Sequence, residues 1–234
     1  MGGNFDYNFD YIEQNLEEVR KKINAAAGEK GAEVRLLAAT KTVGAEKINF
    51  AVSKGLDLIG ENRVNELLEK YDKLNKDGLQ IHFIGNLQTN KVKYIIDKVD
   101  MIQSVNSIRL AEEIDKRASQ HGIKKDILIE LNIGEEGSKI GIKPEDTTEF
   151  MEALKNLKNI NIMGLMSIPP PLKNGEPNKY FGRMREIFID TASKKIDNIN
   201  MRFLSMGMSG DYEEAIKYGA NIVRVGQAVF GERI

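Results

Sequence analysis

The sequence predicts a (β/α)8 barrel, the TIM-barrel fold, with an extra helix at its N-terminus. Eight short apolar segments alternate with segments of helical periodicity along 234 residues. Each apolar segment is nearly continuous, as in strands buried on both faces of a parallel sheet. Eight βα units in about 200 residues suit a closed barrel of this kind. An open, doubly wound sheet is the alternative, which eight strands without a second domain fit less well.

The chain begins with a predicted amphipathic helix. Its apolar residues Ile12, Leu16, Val19 and Ile23 are spaced by four, three and four positions, which places them on one helical face. Gly28 follows the last of them and marks the end of the helix. This helix precedes the first strand and stands outside the βα alternation.

The remaining predicted elements alternate strictly. Apolar runs predict strands over residues 34–40, 56–59, 81–84, 101–105, 126–133, 160–166, 202–206 and 222–225. The periodicity between them predicts helices over residues 45–54, 64–74, 91–99, 108–120, 147–157, 178–193 and 213–218. A stiff, proline-rich loop at 169–177 follows the sixth strand. Because no linker interrupts this series, we expect a single domain over residues 1–234.

The composition excludes several classes of function. The 34 basic and 35 acidic residues leave a net charge of −1, which gives no electrostatic basis for binding nucleic acid or an anionic membrane. There is no cysteine and there are only two histidines, which excludes disulfides, thiol catalysis and zinc sites built on these residues. No apolar run reaches the roughly 20 residues of a membrane span, and the N-terminus lacks a signal-peptide pattern. We therefore expect a cytoplasmic protein.

A lysine lies where the first strand ends. In barrels of this class the chemistry is located at the carboxyl ends of the strands. Lys41 directly follows the first apolar run. An amine at this position can attack a carbonyl carbon and form a Schiff base. A solvated lysine at a strand end is the alternative interpretation.

Two glycine-containing loops follow the last two strands. Ser209 lies after the seventh strand, and Gly226 and Gln227 lie after the eighth. Many barrels bind phosphate at these loops through backbone N–H groups at the start of a short helix, and glycine permits close approach. Each loop also has an ordinary interpretation, with Ser209 or Asp211 as a helix N-cap and Gly226 as a turn residue. The two loops together, opposite Lys41, favour a phosphate site.

Further polar residues stand in or after apolar strands. Arg224 interrupts the eighth strand, so its charge must be paired or face a ligand. A structural ion pair with Glu61 or Asp211 is the alternative. Asn62 follows the second strand, where it can face a ligand or cap its loop. His82 is interpreted as a hydrogen-bonded core histidine of the third strand.

Eight short motifs occur along the chain in a fixed order. They are LLAATKT at 36–42, GENRVNE at 60–66, HFIGNLQTNK at 82–91, SKIGI at 138–142, GLM at 164–166, LSMGMS at 204–209, VRVG at 223–226 and FG at 230–231. In this order they resemble the pyridoxal phosphate homeostasis protein family, single-domain relatives of the alanine racemase barrel. Each motif is short, but the ordered set spans nearly the whole chain and is highly specific.

The resemblance implies that the barrel binds pyridoxal 5′-phosphate (PLP), held by Lys41 as an internal aldimine. It also implies that Ser209, Gly226 and Gln227 bind the phosphate group. The family usually has threonine at position 227. Gln227 therefore keeps a backbone N–H for the phosphate, while the hydroxyl contact is lost or replaced.

The resemblance also implies contacts to the ring of the cofactor. Arg224 would face the pyridine nitrogen with Ser205 near it, Asn62 would lie beside the ring, and Met166 would line the pocket. Arg63 stands where the family usually has an aromatic residue, which changes that loop. Because arginine stays protonated, it does not readily leave the ring nitrogen protonated, and the cofactor is a weaker electron sink than one paired with a carboxylate.

Three functions remain open for this chain. The resemblance implies a PLP-binding protein that maintains vitamin B6 homeostasis without turnover and releases PLP to apo-enzymes. A PLP-dependent amino-acid racemase is the alternative, but it needs a second proton-transfer group opposite Lys41. The alanine racemase relatives take that group from a C-terminal domain, which we expect to be absent because the chain ends nine residues after the eighth strand. A class I aldolase would need an acid–base partner, for which Glu61 is the nearest candidate. We expect the first function, in a monomer.

Overall fold

Eight parallel strands close into a barrel in the computed structural model, which describes residues 9–28, 34–135, 140–170, 179–194, 196 and 199–231. Each strand pairs with its neighbours in chain order, and the first pairs with the last, so the predicted fold class is confirmed. The strands are β1 (Arg35–Ala39), β2 (Leu58–Glu61), β3 (Gln80–Phe83), β4 (Met101–Val105), β5 (Lys125–Leu131), β6 (Ile160–Ser167), β7 (Ile199–Met208) and β8 (Ile222–Val225).

Helices alternate with these strands and cover the outside of the barrel. They are α1 (Asp10–Ala27), α2 (Ala45–Ser53), α3 (Val64–Tyr71), α4 (Val92–Ile95), α5 (Ile108–Gln120), α6 (Thr147–Leu154), α7 (Lys179–Ser193), α8 (Tyr212–Lys217) and α9 (Gln227–Phe230). Short 3₁₀ turns at Thr89–Lys91 and Pro144–Asp146 precede α4 and α6. None of these helices combines the length and the apolar character that crossing a bilayer requires.

The extra N-terminal helix packs across the end of the chain. All four residues of its predicted apolar face, Ile12, Leu16, Val19 and Ile23, are buried. On its polar side, Nδ2 of Asn15 donates a 3.1 Å hydrogen bond to the carbonyl of the α9 residue Val229. Because only Gly226 separates α9 from β8, α1 supports the loop that follows the last strand.

The barrel interior is filled by one apolar side chain from each of seven strands. These residues are Leu37, Leu58, Met101, Leu128, Met166, Phe203 and Ile222. Side chains two positions apart on a strand point to the same face. Four polar residues therefore share this interior, one step nearer the carboxyl ends of their strands: Gln103, Glu130, Ser205 and Arg224.

Three helices, α3, α4 and α6, end three or four residues earlier than predicted because their last turns tighten, as α4 and α6 illustrate. After α4, the N–H of Lys98 donates to the carbonyl of Ile95, three residues back, at 2.9 Å. After α6, the N–H of Leu157 donates to the carbonyl of Leu154 at 3.0 Å in the same way. Such i to i+3 bonds are typical of helix ends, where a periodic sequence continues but the α-helix does not.

The end of the chain differs most from the sequence prediction. β7 begins three residues earlier than predicted, because Ile199 pairs with Ile162 of β6. The four-residue helix α9 was not predicted, since it is too short to show a period.

Two predicted features fall outside the described residues. They are residues 171–177 of the proline-rich loop, and Ser138 and Lys139 of the SKIGI motif.

Candidate functional site at the barrel mouth

Lys41 lies between the ends of two neighbouring strands at the mouth of the barrel. It is half-buried and follows β1 by two positions. β1 pairs with β2 on one side and with β8 on the other. Asn62 directly follows β2, and Gly226 directly follows β8. The closed sheet therefore brings Lys41 beside the loop that the sequence predicts to bind phosphate.

The two predicted phosphate loops contact each other. The backbone N–H of Gly226 donates to Oγ of Ser209 at 3.4 Å. A Cβ added at Gly226 would lie only 3.1 Å from the carbonyl oxygen of Ala39, so glycine here permits the close approach of this loop to β1. Gln227 is exposed at the first position of α9. The mouth thus carries a hydroxyl and helix-start N–H groups side by side.

Asp211 closes the turn that carries Ser209. It occupies the position before α8, and its Oδ1 accepts a 2.6 Å hydrogen bond from the backbone N–H of Met208. The carboxylate therefore bonds the preceding turn rather than the helix. Of the two N-cap candidates, Asp211 occupies the N-cap position of α8 without a side-chain capping bond, and Ser209, three residues before the helix, is not its N-cap.

Arg224 is buried inside the barrel and held by two neighbours. Its Nη1 donates to Oγ of Ser205 at 2.7 Å, and its Nη2 donates to the carbonyl of Ser167 at 2.7 Å. The alternative that Arg224 forms an ion pair with Glu61 is wrong. The side chain of Glu61 lies on the outer face of the barrel, because Glu61 pairs with Phe83 of the outer apolar layer.

A chain of hydrogen bonds continues from Ser205 across the interior. Oγ of Ser205 donates to Oε1 of Gln103 at 2.7 Å, and Nε2 of Gln103 lies 2.8 Å from Nδ1 of His82. An amide nitrogen can only donate, so Nδ1 accepts. Burial lowers the pKa of His82 to about 3, which keeps the ring neutral. The prediction of a hydrogen-bonded core histidine is confirmed, and Gln103 is a residue to which the sequence analysis gave no role.

A second unassigned residue, Glu130, places a carboxyl group in the same interior. Burial raises its pKa to about 7, although the Nδ2 of Asn106, 3.5 Å from Oε2, and the charge of Arg224 both oppose the rise. Burial likewise lowers the pKa of Arg224 to about 10, against the attraction of the carboxylates of Glu130 and Asp211. A charge within an apolar strand was the signal that identified Arg224, and the same signal could have identified Glu130.

Asn62 and Met166 complete the predicted set. Met166 is fully buried in the interior and pairs with Glu130 on one side and Ser205 on the other. Oδ1 of Asn62 is buried, and no donor in the described part of the chain reaches it. That oxygen caps no loop, and Asn62 borders a polar cleft of about 560 Å³ that also includes Arg63. A buried acceptor without a donor is costly unless a ligand or water supplies one.

Comparison with known proteins places the chain in a family. The family model described as "Alanine racemase, N-terminal domain" matches residues 8–234. The pyridoxal phosphate homeostasis protein of Aquifex aeolicus is 46% identical over 93% of this chain and 95% of its own length. The protein of the same name in Escherichia coli K12 is 36% identical over 95% of this chain and 97% of its own length.

The fold comparison agrees with the sequence comparison. The structure of PipY from Synechococcus elongatus PCC7942, solved with PLP bound, superposes with a TM-score of 0.82 at 30% identity. The match covers 94% of this chain and all of PipY. By its sequence and its fold, the chain belongs to the pyridoxal phosphate homeostasis protein family within the alanine racemase N-terminal domain family.

Proposed function

We propose that this protein binds PLP at the barrel mouth and maintains vitamin B6 supply by holding and releasing the cofactor without catalytic turnover. One observation carries the proposal: the contact between Ser209 and Gly226 lies beside β1, whose end presents Lys41. The two loops that would bind a phosphate and the residue that would supply a primary amine are thus neighbours at one mouth. The names of the relatives and the PLP bound to PipY support the same ligand.

The residues at the mouth fit PLP in their chemistry. A phosphate dianion takes N–H and hydroxyl donors, which Gly226, Gln227 and Ser209 offer. A pyridine nitrogen takes one donor, and Arg224 is a donor that its neighbours hold in place. The buried Oδ1 of Asn62 has an unused lone pair for a ring hydroxyl.

Each of these side chains has a distinct part in holding the ligand. When bound, PLP supplies an aldehyde that reversibly exchanges its oxygen, as water, for a primary amine. Lys41 supplies that amine, and the loops of Ser209 and Gly226 set the non-covalent affinity. Met166, fully buried, closes the floor of the mouth and excludes water from it. Holding the aldehyde in this way limits its reaction with other amines, and its release supplies apo-enzymes.

Arg224 favours the binding of PLP over catalytic turnover of amino acids. As a permanent donor it leaves a pyridine nitrogen without a proton of its own, which weakens the electron withdrawal that amino-acid chemistry requires. The second candidate, an amino-acid racemase, is tested by exchange of amino-acid α-protons in deuterated water. We expect no exchange above the rate of free PLP.

The aldolase candidate loses its acid–base partner, because Glu61 faces α3 and bonds Lys70 at 2.9 Å.

The first experiment is a visible absorbance spectrum of the protein with PLP, followed by borohydride reduction and peptide mass mapping. We expect a yellow protein with one reduced adduct on Lys41. Lys41→Ala should lose the adduct and keep weak, phosphate-driven binding, whereas Lys91→Ala, which removes another half-buried lysine near the mouth, should keep the adduct. A colourless wild-type protein that takes up no PLP, or a Lys41→Ala variant with unchanged spectrum and affinity, would contradict the proposal.

The proposal extends to the organisation of the protein. Residues 1–234 form one PLP-binding domain, which acts in the cytoplasm as a monomer and has no nucleic-acid or membrane partner. Its macromolecular partners are PLP-dependent apo-enzymes. Sedimentation of the PLP-loaded protein tests the monomer, and transfer of PLP to an added apo-enzyme in the presence of a free-PLP trap tests the partner.

A further inference from the structure

A buried group of charges lies behind the turn that carries Lys41. Lys70 of α3 points toward the barrel, and its side chain is only 9% exposed. Its Nζ donates to Oε1 of Glu61 at 2.9 Å and to Oε1 of Glu66 at 3.0 Å. We name Lys70, Glu61 and Glu66 the Lys70 cluster. It lies on the outer face of the barrel and lines no part of the interior.

The Lys70 cluster holds the backbone on both sides of Lys41. Nζ of Lys70 also donates to the carbonyl of Thr40 at 3.0 Å and to the carbonyl of Val43 at 3.0 Å. The ammonium group has three N–H donors and here meets four acceptors, so its donors are fully used. One cation thus joins the residue before Lys41 to the turn after it.

The turn itself adopts a conformation that its sequence disfavours. Thr42 has φ of 65°, in the left-handed region, which a β-branched residue rarely occupies. Its backbone N–H donates to Oε1 of Glu66, the same oxygen that accepts from Lys70. Such a conformation persists only where the surroundings over-determine it. No glycine stands in the turn over residues 40–43 to adopt this conformation without strain. The Lys70 cluster holds the turn in it, through its bonds to the Thr42 N–H and to the carbonyls of Thr40 and Val43.

Because its charges are buried, the Lys70 cluster is sensitive to the loss of any one of its three side chains. Glu61 is fully buried, and burial raises the pKa of its carboxyl, while the Thr40 hydroxyl and Lys70 oppose that rise. Removing one partner from a buried charge pair leaves the other charge uncompensated, so neighbouring groups must move. The groups bonded to Lys70 include the carbonyls of Thr40 and Val43, which frame Lys41.

We propose that Lys70, together with Glu66, is a positioning residue that fixes the turn over residues 40–43 so that Lys41 is presented to an aldehyde at the barrel mouth. This inference rests on the proposed function. The cluster acts through the backbone of the turn and does not touch the ligand. It therefore governs the covalent capture of PLP and leaves the phosphate and ring contacts unchanged.

Two ligands distinguish the covalent capture of PLP by Lys41 from the non-covalent binding of its ring and phosphate. PLP carries the aldehyde, whereas pyridoxine 5′-phosphate has the same ring and phosphate with an alcohol in its place. In Lys70→Met we expect the rate of borohydride-trapped adduct on Lys41 to fall by about tenfold or more, and the Kd of pyridoxine 5′-phosphate to change by less than about twofold. Lys73→Met is the matched control, because Lys73 is an exposed lysine two residues after the end of the same helix, and it should trap PLP as the wild type does.

Glu66 provides a second pair of variants in case Lys70→Met does not fold. Glu66→Ala removes the acceptor of the Thr42 N–H and should slow trapping, whereas Glu66→Gln keeps an acceptor oxygen there and should restore most of it. Normal trapping in folded Lys70→Met or in Glu66→Ala overturns the inference. Equal weakening of both ligands also overturns it, since a merely structural role predicts that result. If the wild-type protein traps no PLP, the proposed function fails before the variants are compared.

Discussion

Arg224 and Ser205, on the adjacent strands β8 and β7, are joined by a 2.7 Å hydrogen bond inside the barrel. The second guanidinium bond, to the carbonyl of Ser167 on β6, fixes the plane of the group. Ser205 is in turn oriented by Gln103 of β4. The direction of Arg224 is thus set by residues of three other strands before a ligand arrives, as preorganised sites require.

Arg224→Lys should alter the surroundings of the PLP ring more than the binding of its phosphate group. The single nitrogen of a lysine ammonium cannot take the two positions from which Nη1 and Nη2 of Arg224 bond Ser205 and Ser167, so the ammonium leaves the position that the guanidinium held. We expect a shifted absorbance maximum of bound PLP and an off-rate raised by about tenfold. Competition by inorganic phosphate should be unchanged. Arg63→Lys, on an exposed loop at the same mouth, serves as the control, and an Arg224→Lys variant with the wild-type spectrum and off-rate would refute this role.

The sequence predicted the barrel well because its strands are continuous apolar runs of the length that strands have. It predicted which residues follow each strand, and strand order then fixes that Lys41 and Gly226 are neighbours. It missed Lys70 for a physical reason: a lysine on an amphipathic helix is normally solvated, and only the packing of α3 against β2 and the turn after β1 buries it. It missed α9 because four residues show no period. Glu130 could have been found, since it interrupts an apolar strand as Arg224 does.

The buried carboxyl of Glu130 should make the stability of the protein depend on pH. Burial raises its pKa from 4.5 to about 7. Between these values the folded protein holds a proton that the unfolded chain releases, so this contribution is complete below pH 4.5 and is lost as pH rises through 7. The loss is at most roughly 3 kcal/mol. Urea unfolding at pH 5, 6, 7 and 8 measures it.

Glu130→Gln isolates this carboxyl group. The amide has a similar shape and no charge, so the variant should be more stable than the wild type at pH 8, and the difference should shrink toward pH 5. Glu69→Gln, which changes an exposed carboxylate of α3, should leave the wild-type pH profile intact. Parallel profiles for Glu130→Gln and the wild type would show that Glu130 does not titrate in this window.

Gly226→Ala should weaken phosphate binding without unfolding the protein. The added Cβ would lie 3.1 Å from the carbonyl oxygen of Ala39, so the loop after β8 must move away from β1 by a few tenths of an ångström. That movement also stretches the contact between the Gly226 N–H and Ser209. We expect the Kd of pyridoxine 5′-phosphate to rise by about tenfold, with a melting temperature near that of the wild type. An unchanged Kd would mean that this N–H does not contact the phosphate.

Gly164→Ala should destabilise the barrel itself. Gly164 has φ of 145°, and a Cβ there would lie 1.8 Å from the carbonyl oxygen of Phe203, the residue it pairs with on β7. No side-chain rotation relieves a clash with backbone, so β6 and β7 must separate, and we expect a loss above about 3 kcal/mol in urea unfolding. Gly182→Ala is the control, because Gly182 lies within α7, where alanine is neutral or stabilising. The added Cβ would lie 3.6 Å from the ring of Tyr218, at an ordinary contact distance. Wild-type stability of Gly164→Ala would mean that β6 and β7 do not approach this closely in solution. The carbonyl of Ser167 would then not be fixed where Arg224 requires it.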